Sequence, residues 1–287
     1  MSTYTSDEKL EIMGVLTMDT IHLEVKNVNI GATAAKVAYQ RGERIQDERL
    51  GKVHDYTGKE VVFSEIIIPE NALSKLLDSQ VFVNELEKAE RRKDARTLRE
   101  ITVSLPNELS ISENIELAKK YITENFVKLG MCTALAVHEG HNVDPEKNNP
   151  HCHILLSTRP ICPKTGGFAV KKNRDWNKRA NVTLWRESLA AEINEAYKRK
   201  GISKEVAHKS NIKRGVDKEA QKYLSRIDYE REKRGEHTPR GDLNREIQAR
   251  NAERDAAKMK IVEIKRKKRE LQQRIQNEIF YEMEMER

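Results

Sequence analysis

The chain has 287 residues, 37% hydrophobic and 34% charged, so it accommodates one large domain or a domain with an extension, and ordinary core cannot run its whole length. A formal net charge of +7, from 53 basic against 46 acidic residues, favours a polyanionic partner but excludes a histone-like tail. Three cysteines with no C-x-x-C pair exclude a disulfide framework and a thiolate zinc site, no apolar run reaches the roughly 20 residues that cross a bilayer, and the polar start lacks a signal peptide's regions, so a cytoplasmic protein without membrane partners is expected.

Residues 1–18 read as a leader. Ile21 to Val25 alternates and predicts a first strand; Thr33 to Arg44, rich in Ala and carrying Tyr39, predicts a short packed helix ending near Gly42. Arg44 to Lys59 is polar and reads as a loop, and Val61 to Ile68 as a strand stopped by Pro69. Asn84 to Arg99 reads as a charged helix. Glu100 to Leu105 alternates up to Pro106 and reads as a strand. Ser112 to Leu129 predicts an amphipathic helix, with Ser112 as N-cap and Gly130 as C-cap. Cys132 to His138 and Pro150 to Ser157 read as adjacent antiparallel strands of a hairpin. Asn181 to Lys200 reads as a helix ended by Gly201. From Asp217 charges dominate, and Leu243 onward reads as a long helix with only a thin apolar stripe, which needs a partner to order it.

The chemistry concentrates in Asn149 to Arg159. On a strand, side chains alternate faces, so His151 and His153 point the same way and Cys152 the other. Two imidazoles on one sheet face are a ready pair of metal ligands. A third ligand is expected from the neighbouring strand, where His138 is the candidate and His141 its competitor. A lone His-x-His pair is as readily two polar side chains; the flanking histidine strengthens the metal reading. Glu100 and Glu108 could take a proton or orient a ligand histidine. Arg41, Arg159, Lys171, Lys172 and Arg174 are candidate DNA contacts. Spacing alone does not single out Tyr39 among eight tyrosines.

Five segments in order resemble conjugative relaxases of the MobA/MobL mobilisation type, within the His-hydrophobe-His endonucleases. They are Ala35 to Glu43, Gly51 to Tyr56, Glu65 to Pro69, Arg99 to Pro106, and Asn149 to Arg159. The resemblance covers roughly residues 20–215. It implies an α+β fold, a central antiparallel sheet with helices packed on it, here followed by a long charged helical extension. The expected division is 1–18, 19–215 and 216–287. The resemblance also implies a divalent ion, Mg²⁺ or Mn²⁺, held by His138, His151 and His153. It makes Tyr39 the residue that attacks one strand at a plasmid transfer origin, leaving a 5′-phosphotyrosine that can religate. Glu100 and Glu108 match the family's glutamates. Single-stranded origin DNA and relaxosome accessory proteins are the implied partners. A rolling-circle replication initiator with the same chemistry, a metallohydrolase without a covalent intermediate, and a non-catalytic DNA-binding protein are the alternatives.

Overall fold

The computed structural model describes residues 19–140 and 148–285. The described residues divide into two compact units, one spanning Ile21–His208 and the other containing residues 209–285.

The first unit is built on a five-stranded sheet. In chain order its strands are β1 (Leu23–Asn29), β4 (Phe63–Ile67), β5 (Arg96–Ser104), β6 (Thr133–His138) and β7 (His151–Ser157). Their spatial order is β1-β5-β7-β6-β4, with every neighbouring pair antiparallel. A separate hairpin pairs β2 (Arg44–Asp47) with β3 (Lys52–Asp55).

Strand alternation gives the sheet two apolar faces. Ile101, Val103, Leu135, Cys152, Ile154 and Leu156 meet helices α3 (Ile111–Asn125) and α4 (Arg179–Lys200), through residues such as Tyr121, Ile122, Trp185 and Leu189. Leu98, Ala134 and Leu155 face the other way, with α1 (Thr33–Arg41) and α2 (Ser79–Lys88) supplying Ala34, Val37, Phe82 and Leu86. Full burial of each large aliphatic side chain contributes about 1.5–3 kcal/mol, so the alternation fixes strand register firmly. The expected α+β architecture, helices packed on a central antiparallel sheet, is the one observed.

Several expectations need correction. Arg44 to Lys59 is not all loop: Ile45 buries its side chain under the β2–β3 hairpin. The helix expected over Asn84 to Arg99 lies at Ser79–Lys88, because the Asp78 side chain caps it by accepting from the Val81 amide. β5 claims residues from Arg96 onward because both its neighbours pair with it there. The cap of α3 is Ser110 rather than Ser112; it forms a reciprocal box with Glu113, satisfying two otherwise free amides. The expected leader and His141 lie outside the described residues.

In the second unit, α5 (Arg226–Lys233) precedes the long helix α6 (Pro239–Met285). Arg250 and Arg254 of α6 both bind the Glu219 carboxylate, and Arg245 binds that of Glu232. Ile264 and Leu271 remain exposed, as a thin stripe demands. No described helix is long and apolar enough to cross a membrane.

Candidate active site

Three imidazoles meet where β6 and β7 end beside one another. The ladder sets His138 opposite His151 and Ala136 opposite His153, which puts all three rings on the face that carries α1. Each pair of ring centroids is 5.4 Å apart.

Each ring is held through Nδ1. His151 Nδ1 is 2.8 Å from the Asn149 carbonyl oxygen, and His153 Nδ1 is 3.0 Å from Oε1 of Glu100. His138 is bonded to the Glu60 backbone. An acceptor at Nδ1 fixes the proton there and leaves Nε2 with its lone pair. The Nε2 atom of His138 is buried and has no hydrogen-bond partner. A buried polar atom without a partner is costly, and a ligating ion would satisfy it. Burial, then the charge of Lys59 and the neighbouring histidines, pull His138 down to about 4; burial also lowers His151. Burial thus favours the neutral form of His138 and His151, the form that coordinates metal. As they stand, no three His, Cys, Asp or Glu side chains among the described residues form a finished chelate.

Glu100 stands behind this triangle, with its side chain 4% exposed. One oxygen, Oε1, collects Lys36 Nζ at 2.9 Å, Gln40 Nε2 at 3.0 Å and His153 Nδ1 at 3.0 Å. Burial alone would raise its pKa, but the donors from His153 and Lys36 prevail and hold the carboxyl at about 2. Such a carboxylate is a poor proton acceptor and a good orienting group for His153.

Tyr39 projects from the last turn of α1. It is 47% exposed, and it lines a cleft of about 820 Å³ together with Gln40, Lys59, His138, His151 and His153. Tyr56 meets its ring edge to face, with centroids 5.2 Å apart. Lys59 Nζ donates to the Tyr39 carbonyl oxygen at 3.0 Å and stands 4.0 Å from the ring centroid. Helix α1 stops at Gly42, whose φ of +63° suits glycine. A Cβ there would lie 2.9 Å from the Lys59 carbonyl oxygen, so the missing side chain lets the 56–61 turn close against Tyr39.

The structure brings together Tyr39, Glu100, His138, His151 and His153, and sends the other candidates elsewhere. Glu108 accepts from Tyr197 Oη at 2.7 Å and pairs with Lys204, so it ties the α3 entry to α4 and does not line the cleft. Arg41 is spent on Glu43 and the Leu135 carbonyl oxygen. Arg159 is buried against Glu90, 2.9 Å away, and also donates to the Val170 carbonyl oxygen. Lys172 pairs with the same Glu90 at 2.7 Å. Internal partners therefore occupy these three, against the expectation that they grip phosphate. Lys171 and Arg174 remain exposed.

Sequence reading passed over Lys36, Gln40, Tyr56 and Lys59 as members of the site. A signal existed for two of them: Lys36 and Gln40 are four apart on α1 and therefore share the face that meets Glu100.

The profile of the MobA/MobL family matches residues 31–234. A probable mobilization protein MobA of Bifidobacterium longum is 37% identical over 161 residues, covering 55% of this chain and 28% of that protein. The mobilization protein MobL of Acidithiobacillus ferridurans is 31% identical over 275 residues, covering 83% of this chain and 71% of the relative. The chain thus spans under a third of the first relative's length. A structure solved to explain vancomycin resistance transfer in Staphylococcus aureus superposes with a TM-score of 0.60 at 30% identity, covering 67% of this chain and 99% of that one.

Proposed function

The chain belongs to the MobA/MobL family, and from that premise we propose that it is a conjugative relaxase, which nicks one strand of DNA at a plasmid transfer origin through Tyr39 and can reseal it. The observation that carries this reading is that a half-exposed tyrosine and three clustered imidazoles line one cleft. We assign the catalytic domain to residues 19–215.

In the proposed reaction the Tyr39 oxygen attacks phosphorus, and the Oη–P bond forms as the P–O3′ bond breaks. The phenol loses its proton and the departing 3′-oxygen gains one. The 5′ end is left as a phosphotyrosine ester, so the reverse attack by the 3′-hydroxyl rejoins the strand without an energy source. The strand must enter single-stranded, because the phosphorus has to reach a ring anchored on α1. Tyr56 and Lys59 hold that ring.

His138, His151 and His153 would hold a divalent ion, with Mg²⁺ or Mn²⁺ our assignment. When bound, the ion polarises the phosphate and offsets developing negative charge. Glu100 keeps His153 oriented with Nε2 free; its three donors argue against a role as proton acceptor from Tyr39. Accessory proteins at the origin are expected partners.

A denaturing gel with labelled single-stranded DNA tests the reading. The wild type should give a protein–DNA adduct. Tyr39→Phe should lower cleavage on the order of 10³-fold or more while binding persists. Cleavage at the wild-type rate in that variant refutes Tyr39 as nucleophile, and release of both products with no adduct favours direct hydrolysis.

A further inference from the structure

Lys59 raises a separate question of charge. Its ammonium carries three N–H donors. One is directed to the Tyr39 carbonyl oxygen at 3.0 Å, and the group stands 4.0 Å from the Tyr39 ring centroid. Neither contact neutralises the cation.

Four other enclosed cations of this unit are matched with carboxylates, whereas Arg99 meets neutral oxygens, the Trp176 carbonyl and the Asn177 side chain. Lys36 has Glu100 at 2.9 Å, Arg41 has Glu43 at 2.7 Å, Arg159 has Glu90 at 2.9 Å and Lys172 has Glu90 at 2.7 Å. Nothing comparable serves Lys59: burial lowers its pKa, the nearby like charge of Lys36 lowers it further, and no acidic group offsets them. Holding a partly desolvated cation without a counter-charge is costly. The arrangement makes sense if an anion supplies that counter-charge.

The cleft supports the same conclusion. Among the described residues that line it, Lys59 is the one lysine or arginine, accompanied by the acids Glu60 and Glu139. A phosphodiester brought to Tyr39 would otherwise meet no lysine or arginine among the described lining residues. Lys36 lies behind the histidines, and its charge is committed to Glu100.

We propose that Lys59 is the cleft's own phosphate-binding cation, one of whose two remaining N–H groups takes a non-bridging oxygen of the DNA phosphodiester presented to Tyr39. One side chain then fixes both the nucleophile's ring and the group it attacks. The assignment rests on the nickase reading for its purpose, but its binding chemistry can be measured without cleavage.

The test uses the full chain, with wild type, Lys59→Met and Lys59→Arg compared in the Tyr39→Phe background. Each is titrated in EDTA with a fluorescent random-sequence single strand of about 30 nucleotides at several salt concentrations. Losing one phosphate contact should flatten the slope of log K against log salt by about 0.7 for a single strand. Lys59→Met should show that change and a severalfold loss of affinity at low salt; Lys59→Arg should retain the slope. Lys59→Gln serves as the second neutral variant if Lys59→Met melts early. An unchanged slope and affinity in the neutral variants overturns the proposal. Reduced nicking by Lys59→Met with Tyr39 restored, alongside an unchanged slope, also overturns it, since Lys59 would then only brace Tyr39. A flattened slope in a protein whose wild type nicks no DNA supports the phosphate contact and rejects the nickase reading.

Discussion

Nδ1 of His153 lies 3.0 Å from Oε1 of Glu100, and that contact joins the histidine strand to its neighbour β5. The carboxylate directs Nε2 of His153 away from itself and toward the cleft. Removing its charge should weaken the donor set without removing a donor. Glu100→Gln is expected to lower Mn²⁺ affinity about 10- to 100-fold, read by calorimetry or by the free-ion resonance signal. Full affinity in that variant would mean His153 needs no orienting carboxylate.

Glu100 also predicts a pH dependence of stability. Its folded-state pKa, about 2, lies below the ordinary 4.5. The stabilisation from its ionised form is therefore complete above about pH 4.5 and is lost as pH falls through about 2. The melting-temperature gap between wild type and Glu100→Gln should be widest near neutrality and shrink steadily below pH 4.5. A gap that stayed constant down to pH 2 would show that the charge itself does not matter.

Gly42→Ala tests the close approach behind Tyr39. A left-handed backbone costs a non-glycine residue roughly 1–2 kcal/mol, and the new Cβ would press on the Lys59 carbonyl oxygen. The expected result is a melting temperature lower by about 2–8 °C, with nicking reduced more than the folded fraction. Unimpaired nicking would show that the turn can shift without disturbing Tyr39.

The three thiols should react in a set order. Burial pushes Cys132 and Cys152 up to about 12, while hydrogen bonds from Thr165 and nearby backbone amides lower Cys162. Iodoacetamide at about pH 8 should label Cys162 alone in the native protein and all three after denaturation, as read by peptide mass spectrometry. Early labelling of Cys152 would mean the histidine strand opens readily.

Much of this site was legible in the sequence because a few strands impose it. An unbroken aliphatic run after His-Cys-His permits one strand reading, and period-two alternation then assigns the faces: Cys152 is buried on one side while the imidazoles face the other. The β2–β3 hairpin was not legible, because its four-residue strands bury little beyond Ile45 and Asp47. Glu108 was misplaced for a different reason: its distance from Glu100 along the chain says nothing of the Tyr197 and Lys204 that draw it to α4. Lys59 carried no sequence signal. A lysine in a polar stretch reads as solvated surface until the fold shows that Tyr39 lies beneath it.

The pairing of β6 with β7 has a consequence for assembly. A slip of one residue would turn Cys152 and Ile154 into the cleft and thrust His151 and His153 among the aromatic side chains of α3 and α4. Misaligned strands would forfeit apolar burial and imidazole clustering together. Protein quality control that recognises exposed aliphatic surface would therefore discard the register that disperses the imidazoles as well, without any sensor dedicated to the cleft.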